Sequence, residues 1–161
     1  MIDIQNIEKK ELESLIAKVS GIWLVDINKT PYHLGFSTHG KFFSLRFKKK
    51  DFALDASEYL NLLEKKGIQI LFIPMMMNYS LEKVKSVFTS YKGCLQNDCS
   101  CIEPILKVTE LEGHNWILFD LLSALEQAGQ LNSALGYNLP NGFQLTEYTI
   151  DSVKQNLLTA I

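Results

Sequence analysis

Pro-Tyr-His-Leu-Gly-Phe-Ser at residues 31–37 and Phe-Phe-Ser-Leu-Arg-Phe at residues 42–47 form the stretch that decides the fold. Both segments are short, apolar and rich in aromatic residues, which is typical of β-strands. The four residues between them, 38–41, include a glycine and predict a tight turn. The pattern therefore predicts an antiparallel hairpin that carries His33 on its first strand and Ser44 on its second.

The rest of the chain predicts further strands and several helices around this hairpin. Residues 21–27 and 68–73 are strand-length apolar runs, and the second is expected to be central because it is apolar on both faces. Apolar spacing, capping residues and terminal glycines predict five helices: residues 8–19, a segment capped by Asp55, a segment capped by Ser80, residues 115–128 and residues 151–159. Residues 135–145 contain two glycines and a proline and predict a loop. The fold class that follows is α+β, an antiparallel sheet or partial barrel packed against helices.

Length and composition exclude several classes of protein. We expect residues 1–161 to form a single domain, and 47 % hydrophobic residues are enough to build a core. A formal net charge of −2 argues against a nucleic-acid partner. The chain has no apolar run of the ~20 residues that a membrane span needs, and residues 1–6 lack the start of a signal peptide.

The cysteines indicate the compartment. Three closely spaced cysteines, an odd number, fit free thiols in a reducing compartment better than a disulfide scaffold. We therefore expect a cytoplasmic protein, or one that is exported without a cleaved signal.

Two of these cysteines, Cys99 and Cys101, are candidate nucleophiles. They lie in Asn-Asp-Cys-Ser-Cys-Ile-Glu-Pro at residues 97–104. Ser100 and Glu103 match a capping box, which predicts a helix that begins at Cys101. A helix N-terminus favours the thiolate, so this argument selects Cys101 and leaves Cys99 as the alternative.

His33 is the candidate base for such a thiol. A histidine on a strand and a cysteine at a helix N-terminus are the two parts of an activated thiol nucleophile, whatever their order in the chain. A lone strand histidine is more often a structural residue with satisfied hydrogen bonds. The Leu-Gly-Phe that follows His33 and the glycine turn after it bring the catalytic interpretation level with the structural one.

In their order and spacing these motifs resemble the circularly permuted branch of the papain-like hydrolases. This NlpC-type group includes YiiX-like proteins, PPPDE peptidases and lecithin:retinol acyltransferase-like enzymes. The matching residues are His33-Leu-Gly-Phe, Gly40 with the strand that follows it, then Tyr91 and residues 97–101. The resemblance covers about residues 20–130 and implies a permuted papain-like fold.

The resemblance also implies a function. A thiol would attack the carbonyl of an amide, peptide or acyl ester, His33 would act as base and acid, and the products would be those of hydrolysis or acyl transfer. In this family a third polar residue, on the strand after the histidine, orients the imidazole ring. By position this residue is Ser44. The family spacing favours Cys99 as the nucleophile. The substrate would be a small molecule, a peptide or a lipid, and no cofactor is expected.

Two alternatives use the same residues differently. The inserted Asp98 and the weak third residue favour a catalytically inactive α+β domain, of the immunity or adaptor type, that binds a protein partner. A second alternative is a structural zinc site, because Cys94, Cys99, Cys101 and His114 supply three thiols and an imidazole. Their spacing lacks the common Cys-x2-Cys pair.

Overall fold

The computed structural model describes residues 2–97, 99–111, 117–149, 151, 153 and 155. The described residues form seven labelled strands and six labelled helices. The strands are β1 (Ile4–Asn6), β2 (Gly21–Val25), β3 (His33–Thr38), β4 (Lys41–Leu45), β5 (Lys50–Asp55), β6 (Ile70–Pro74) and β7 (Ala134–Gly136). The helices are α1 (Lys9–Lys18), α2 (Ala56–Lys65), α3 (Leu81–Thr89), α4 (Cys94–Asn97), α5 (Glu103–Val108) and α6 (Leu118–Gln127).

All seven strands belong to one sheet in the order β1-β7-β6-β2-β3-β4-β5. Every neighbouring pair is antiparallel except β1 and β7, which run parallel. The order is linear, so the sheet is open and does not close into the partial barrel that was the alternative. The structure therefore confirms a mixed α and β fold built on a mostly antiparallel sheet.

The hairpin predicted at residues 31–47 is present. Thr38 of β3 pairs with Lys41 of β4 across a two-residue turn. The turn residues His39 and Gly40 have φ values of 49° and 72°. Positive φ at both central positions matches the right-handed twist of the flanking strands, and glycine adopts it without steric cost.

Strands β1, β5 and β7 were not predicted. β5 begins at Lys50, directly after the turn of residues 46–49, and pairs with β4 across that turn. β7 is a three-residue strand that begins just before the predicted loop 135–145 and enters it. Such a short strand exists because β1 and β6 lie on either side of it, a tertiary effect that has no local signal.

The two predicted helix caps are confirmed. Asp55 Oδ1 accepts a hydrogen bond from the backbone N–H of Glu58 at 3.0 Å, and Ser80 Oγ accepts one from Lys83 at 3.1 Å. Both bonds satisfy N–H groups that have no partner inside the helix. Among the described residues, no helix combines the length and the apolar character that crossing a membrane requires.

A helix is present after Cys101, but its predicted start at Cys101 is wrong. α5 begins two residues later, and residues 101–102 form a turn. The backbone carbonyl of Ser100, rather than its side chain, accepts from the N–H of Glu103 at 3.2 Å. This turn replaces the capping box, so the thiol of Cys101 does not lie in the first turn of a helix.

The sheet separates two layers of the core. One layer, the aromatic face, packs α1 and α2 against the sheet around Trp23, Phe42, Tyr59 and Phe72. The other layer, the helical face, packs α3, α5 and α6 against residues such as Leu34 and Phe43. Successive residues of a strand point to opposite faces, so each strand of the hairpin contributes to both layers.

Candidate functional site

His33 begins β3 and is held by the neighbouring strand. The β3–β4 ladder starts at the pair Gly35–Ser44, so His33 lies just beyond its end. Alternation along the strands places His33 and Ser44 on the same side of the sheet as Phe42, the aromatic face. Ser44 Oγ lies 3.1 Å from Nε2 of His33, within hydrogen-bond distance.

A chain of hydrogen bonds assigns the tautomer of His33. The Ser44 hydroxyl donates its proton to Oδ2 of Asp51 at 2.6 Å. With that proton engaged, Ser44 Oγ accepts from His33, so the neutral ring carries its proton on Nε2. The other ring nitrogen, Nδ1, is then unprotonated and able to accept a proton.

Arg46 closes this chain on the side away from the histidine. Its Nε donates to Oδ2 of Asp51 at 2.8 Å, and its terminal nitrogen lies 3.4 Å from the hydroxyl of Tyr59. His33 is half-buried, and protein atoms surround most of its side chain. Burial, assisted by the positive charge of Arg46 and opposed by Asp51, lowers the pKa of His33 from 6.5 to about 4. At neutral pH the ring is therefore uncharged.

Cys101 approaches the same end of β3 from the helical face. It is half-buried and packs against the core cluster of α3, α5 and α6. Burial raises the pKa of its thiol, and the backbone N–H groups of Leu34 and of Cys101 itself oppose part of that rise. Leu34 follows His33, so the sulfur lies beside the backbone that carries the histidine.

Beyond the end of the β3–β4 ladder, the backbone of the two strands interacts with Cys94 and Cys101. The pair that flanks a two-residue turn is hydrogen-bonded, and hydrogen-bonded pairs recur at every second position. By this alternation Leu34 and Leu45 would form the next hydrogen-bonded pair beyond the observed ladder. Instead, the thiol of Cys94 donates to the carbonyl of Leu45 at 3.7 Å, and the backbone N–H of Leu34 acts to lower the pKa of Cys101.

A cavity of about 180 Å³ lies at this gap. His33, Cys94 and Cys101 contribute to its walls, together with apolar side chains of the hairpin and of α6. Tyr148 forms another part of the wall, and burial, reinforced by Cys101, raises the pKa of its phenol. His33 and the thiols of Cys94 and Cys101 therefore border the same cavity.

The structure separates the two candidate thiols. Cys99 is not among the described residues that line the cavity, and it packs instead against Leu45, Tyr91 and Cys94. A hydrogen bond with Cys99, together with burial, raises the pKa of the Cys94 thiol. Of the two candidates, Cys101 thus shares the cavity with His33, although the helix-start argument that first selected it is wrong.

Sequence reasoning missed Asp51, Arg46 and Tyr148. Asp51 is the cross-strand partner of Ser44 in the β4–β5 ladder, so a recognised strand after residues 46–49 would have placed it. Arg46 appeared only as a residue of the predicted strand 42–47. Tyr148 follows the predicted loop, and its position depends on tertiary contacts such as its ring packing on Tyr32, with centroids 5.8 Å apart.

The described residues do not support the zinc alternative, and the comparisons identify no family. Among the described residues, no group of three or more His, Cys, Asp or Glu side chains could hold a metal ion, and His114 lies outside those residues. Comparison of the chain with protein-family models, curated proteins and solved structures finds no match.

Proposed function

We propose that this chain is a cysteine-dependent hydrolase or acyltransferase with a permuted papain-like fold. It would act on an amide, a peptide or an acyl ester, with Cys101 as nucleophile and His33 as base. The observation that carries the proposal is that both residues line one cavity, while Ser44 and Asp51 hold the ring with Nδ1 unprotonated. Free thiols in such a role suit a reducing compartment such as the cytoplasm.

Cavity lining favours Cys101 over Cys99. A nucleophile has to reach the carbonyl carbon and its base in one place. Cys101 shares a cavity with His33, whereas Cys99 packs against Leu45, Tyr91 and Cys94. The proposal therefore does not adopt Cys99, the nucleophile that the family spacing favours.

In the first half of the reaction, Cys101 Sγ bonds to the carbonyl carbon as its proton moves to Nδ1 of His33. The backbone N–H groups of Leu34 and Cys101 stabilise the thiolate character of the sulfur as its proton leaves. Once the C–S bond has formed, the negative charge is on the carbonyl oxygen. Cleavage of the bond to the leaving group gives a thioester on Cys101. The leaving group departs with the proton that His33 holds, or as an anion when it is stable enough, in which case His33 releases its proton to water before the second half.

In the second half, water or an acceptor alcohol or amine attacks the thioester. His33 Nδ1 takes the proton of the attacking group, the C–S bond breaks, and the thiolate recovers that proton. Each time the ring is protonated, its Nε2–H donates to Ser44, whose hydroxyl donates to Asp51. Ser44 and Asp51 thus orient the ring without taking part in bond formation.

The resting pair in this proposal is a neutral thiol beside a neutral imidazole. Burial raises the pKa of Cys101 and lowers that of His33 to about 4, so neither carries charge at pH 7. Simple alkylation, which reports the thiolate, is then slow even for a functional site. An acylating substrate is the better probe, because it draws on base catalysis by His33.

The same neutral pair is the one observation that favours an inactive binding domain. A weakly basic histidine and a thiol of raised pKa are what remains when such a site keeps its packing and loses its chemistry. In that case the partner would be a protein, and the cavity would accept no acyl group. The two functions differ in whether a thioester forms on Cys101.

Mass spectrometry after reaction with 4-nitrophenyl butyrate tests the proposal. The intact protein is mixed with the ester at pH 7, quenched in acid and weighed, and the acylated residue is then located by peptide mapping. We expect one butyryl group on Cys101 in the wild type and in Cys99→Ala, and none in Cys101→Ala.

His33→Ala provides the second control. Its acylation rate should fall at least 100-fold, because base catalysis contributes about 10²–10⁴. Absence of acylation, a butyryl group on Cys99 or a lysine, or equal rates with and without His33 would each overturn the proposal and leave the binding domain.

A further inference from the structure

The size of the site cavity limits what can enter it. Its volume is about 180 Å³. A protein cavity of about 150 Å³ lined by apolar side chains accommodates benzene, so this one has room for about six or seven non-hydrogen atoms. A sixteen-carbon acyl chain is more than twice that size.

The walls of the cavity define the polarity of the group. Most of the described lining is apolar or aromatic, including Leu34, Leu45, Ile102, Ile117, Leu118 and Val153. Arg46 also lines the cavity, but its charge is paired with Asp51. A charged group would lose its hydration here without gaining a free counter-charge, which is unfavourable.

The position of the thiol says which part of a substrate the cavity receives. Cys101 lies in the wall, so a carbonyl carbon within reach of its sulfur has one substituent inside the cavity and the other toward the leaving-group side. The substituent that stays after the first half of the reaction is the acyl group. The cavity is therefore filled in both halves of the reaction only if it holds the acyl chain.

We infer that the preferred substrate carries a short, uncharged, apolar acyl group of about four to six carbons, as an ester or an amide. This inference rests on the proposed function and makes it narrower. A longer acyl chain would extend past the described lining without further burial, and a terminal carboxylate would lose its hydration. Long-chain lipid esters and such acyl groups are therefore expected to be poorer substrates.

A chain-length series of 4-nitrophenyl esters tests the inference. The acetate, butyrate, hexanoate, decanoate and palmitate esters are compared by kcat/KM on the full chain, with the rate of Cys101→Ala subtracted. We expect kcat/KM to rise about fourfold for each CH2 that is buried, up to butyrate or hexanoate. It should then fall at least tenfold at decanoate.

Two substitutions in the cavity wall should move this optimum in opposite directions. Val153→Phe fills space and should shift the optimum toward acetate, while Ile117→Ala removes three carbons and should shift it toward longer chains. Both residues keep some exposed surface, so either change is compatible with a folded chain.

The outcomes separate this inference from the function it rests on. If no ester acylates Cys101, the proposed function fails. If Cys101 is acylated but kcat/KM is equal along the series or keeps rising to decanoate and palmitate, the function stands and the short-chain inference is wrong. An optimum at butyrate or hexanoate that moves with Val153→Phe or Ile117→Ala supports it.

Discussion

The site has two halves that are built differently. The hairpin half, residues 33–51, places His33, Ser44 and Asp51 on three adjacent strands joined by two tight turns. In the thiol half, residues 94–102, the described residues form one four-residue helix and a turn. The hairpin half is fixed by sheet hydrogen bonds, whereas the thiol half depends on contacts with another part of the chain.

Those contacts join the thiol half to the β4–β5 turn. The backbone N–H groups of Cys94 and Leu95 donate to the carbonyls of Arg46 and Phe47, both at 2.8 Å. The position of the cysteines therefore follows from the turn that ends the hairpin half. We expect changes in the hairpin half to affect stability first, and changes in the thiol half to affect reactivity first.

The largest expected effect comes from Gly35→Ala in the hairpin half. A Cβ at this position would overlap the ring of Phe42, which stacks on Tyr59 with ring centroids 4.2 Å apart. Overpacking of this kind costs about 3 kcal/mol, which lowers Tm by about 6 to 12 °C in a chain of this length. Thermal unfolding followed by circular dichroism measures it.

Gly93→Ala is the matched change in the thiol half. Its Cβ would lie 2.7 Å from the backbone carbon of Lys48, so the segment must move away from the turn. We expect less than half the loss of Tm, together with slower acylation of Cys101. Equal losses of Tm in the two variants would contradict the division into two halves.

The next largest effect is the contribution of His33 to stability against pH. Its pKa is about 4 in the folded state and 6.5 when unfolded, so below pH 6.5 the unfolded chain binds more protons. The stabilisation is complete above pH 6.5 and is lost as pH falls toward 4. The loss is about 2–3 kcal/mol, allowing for the partial exposure of the residue.

Urea unfolding at pH 7, 5.5 and 4 measures this contribution. His33→Asn keeps a donor toward Ser44 and removes the titration, so its stability should fall less over the same range. His39→Asn, in the exposed turn, should behave like the wild type. A His33→Asn curve that parallels the wild type would refute the lowered pKa.

Ser44→Ala should have a smaller effect, on activity. Loss of this hydrogen bond leaves the ring without its partner on Nε2, and a net hydrogen bond of about 1.4 kcal/mol corresponds to a tenfold lower kcat. The KM for 4-nitrophenyl butyrate should not change. The ¹⁵N shifts of His33 should also report a mixture of tautomers, which a purely structural role of Ser44 would not produce.

The smallest effect concerns the charges beside the ring. Arg46 lowers the pKa of His33 and Asp51 raises it. Arg46→Gln should therefore raise this pKa, and Asp51→Asn should lower it. An NMR titration of the His33 ring protons measures both, and shifts of the same sign in the two variants would show that the charges act through something other than direct interaction.

The sequence predicted the β3–β4 hairpin well because its signals are local. Alternating aromatic residues and a glycine turn involve neighbours in the chain. The contact between Ser44 and His33 was implied by the family resemblance, and the two side chains lie within hydrogen-bond distance. The roles in catalysis of His33, Ser44 and Cys101 stay predictions.

The thiol half was less predictable because its geometry is tertiary. The Ser100–Glu103 pattern gave a plausible helix start, but a backbone turn forms there instead, and the helix begins at Glu103. No local sequence pattern predicts that Cys101 lines the cavity beyond the β3–β4 ladder while Cys99 packs against Leu45, Tyr91 and Cys94. Asp51 was missed for a different reason, because the strand that carries it was not recognised.

Kinetics of the Cys101→Ala, His33→Ala and double variants test most directly whether the two halves act as one site. Hydrolysis of 4-nitrophenyl butyrate is measured for these variants and the wild type, with folding checked by circular dichroism. We predict that each single change lowers kcat/KM at least 100-fold and that the double change lowers it no further, because residues that act as a unit are non-additive. Additive losses, or a single variant with wild-type activity, would contradict the account.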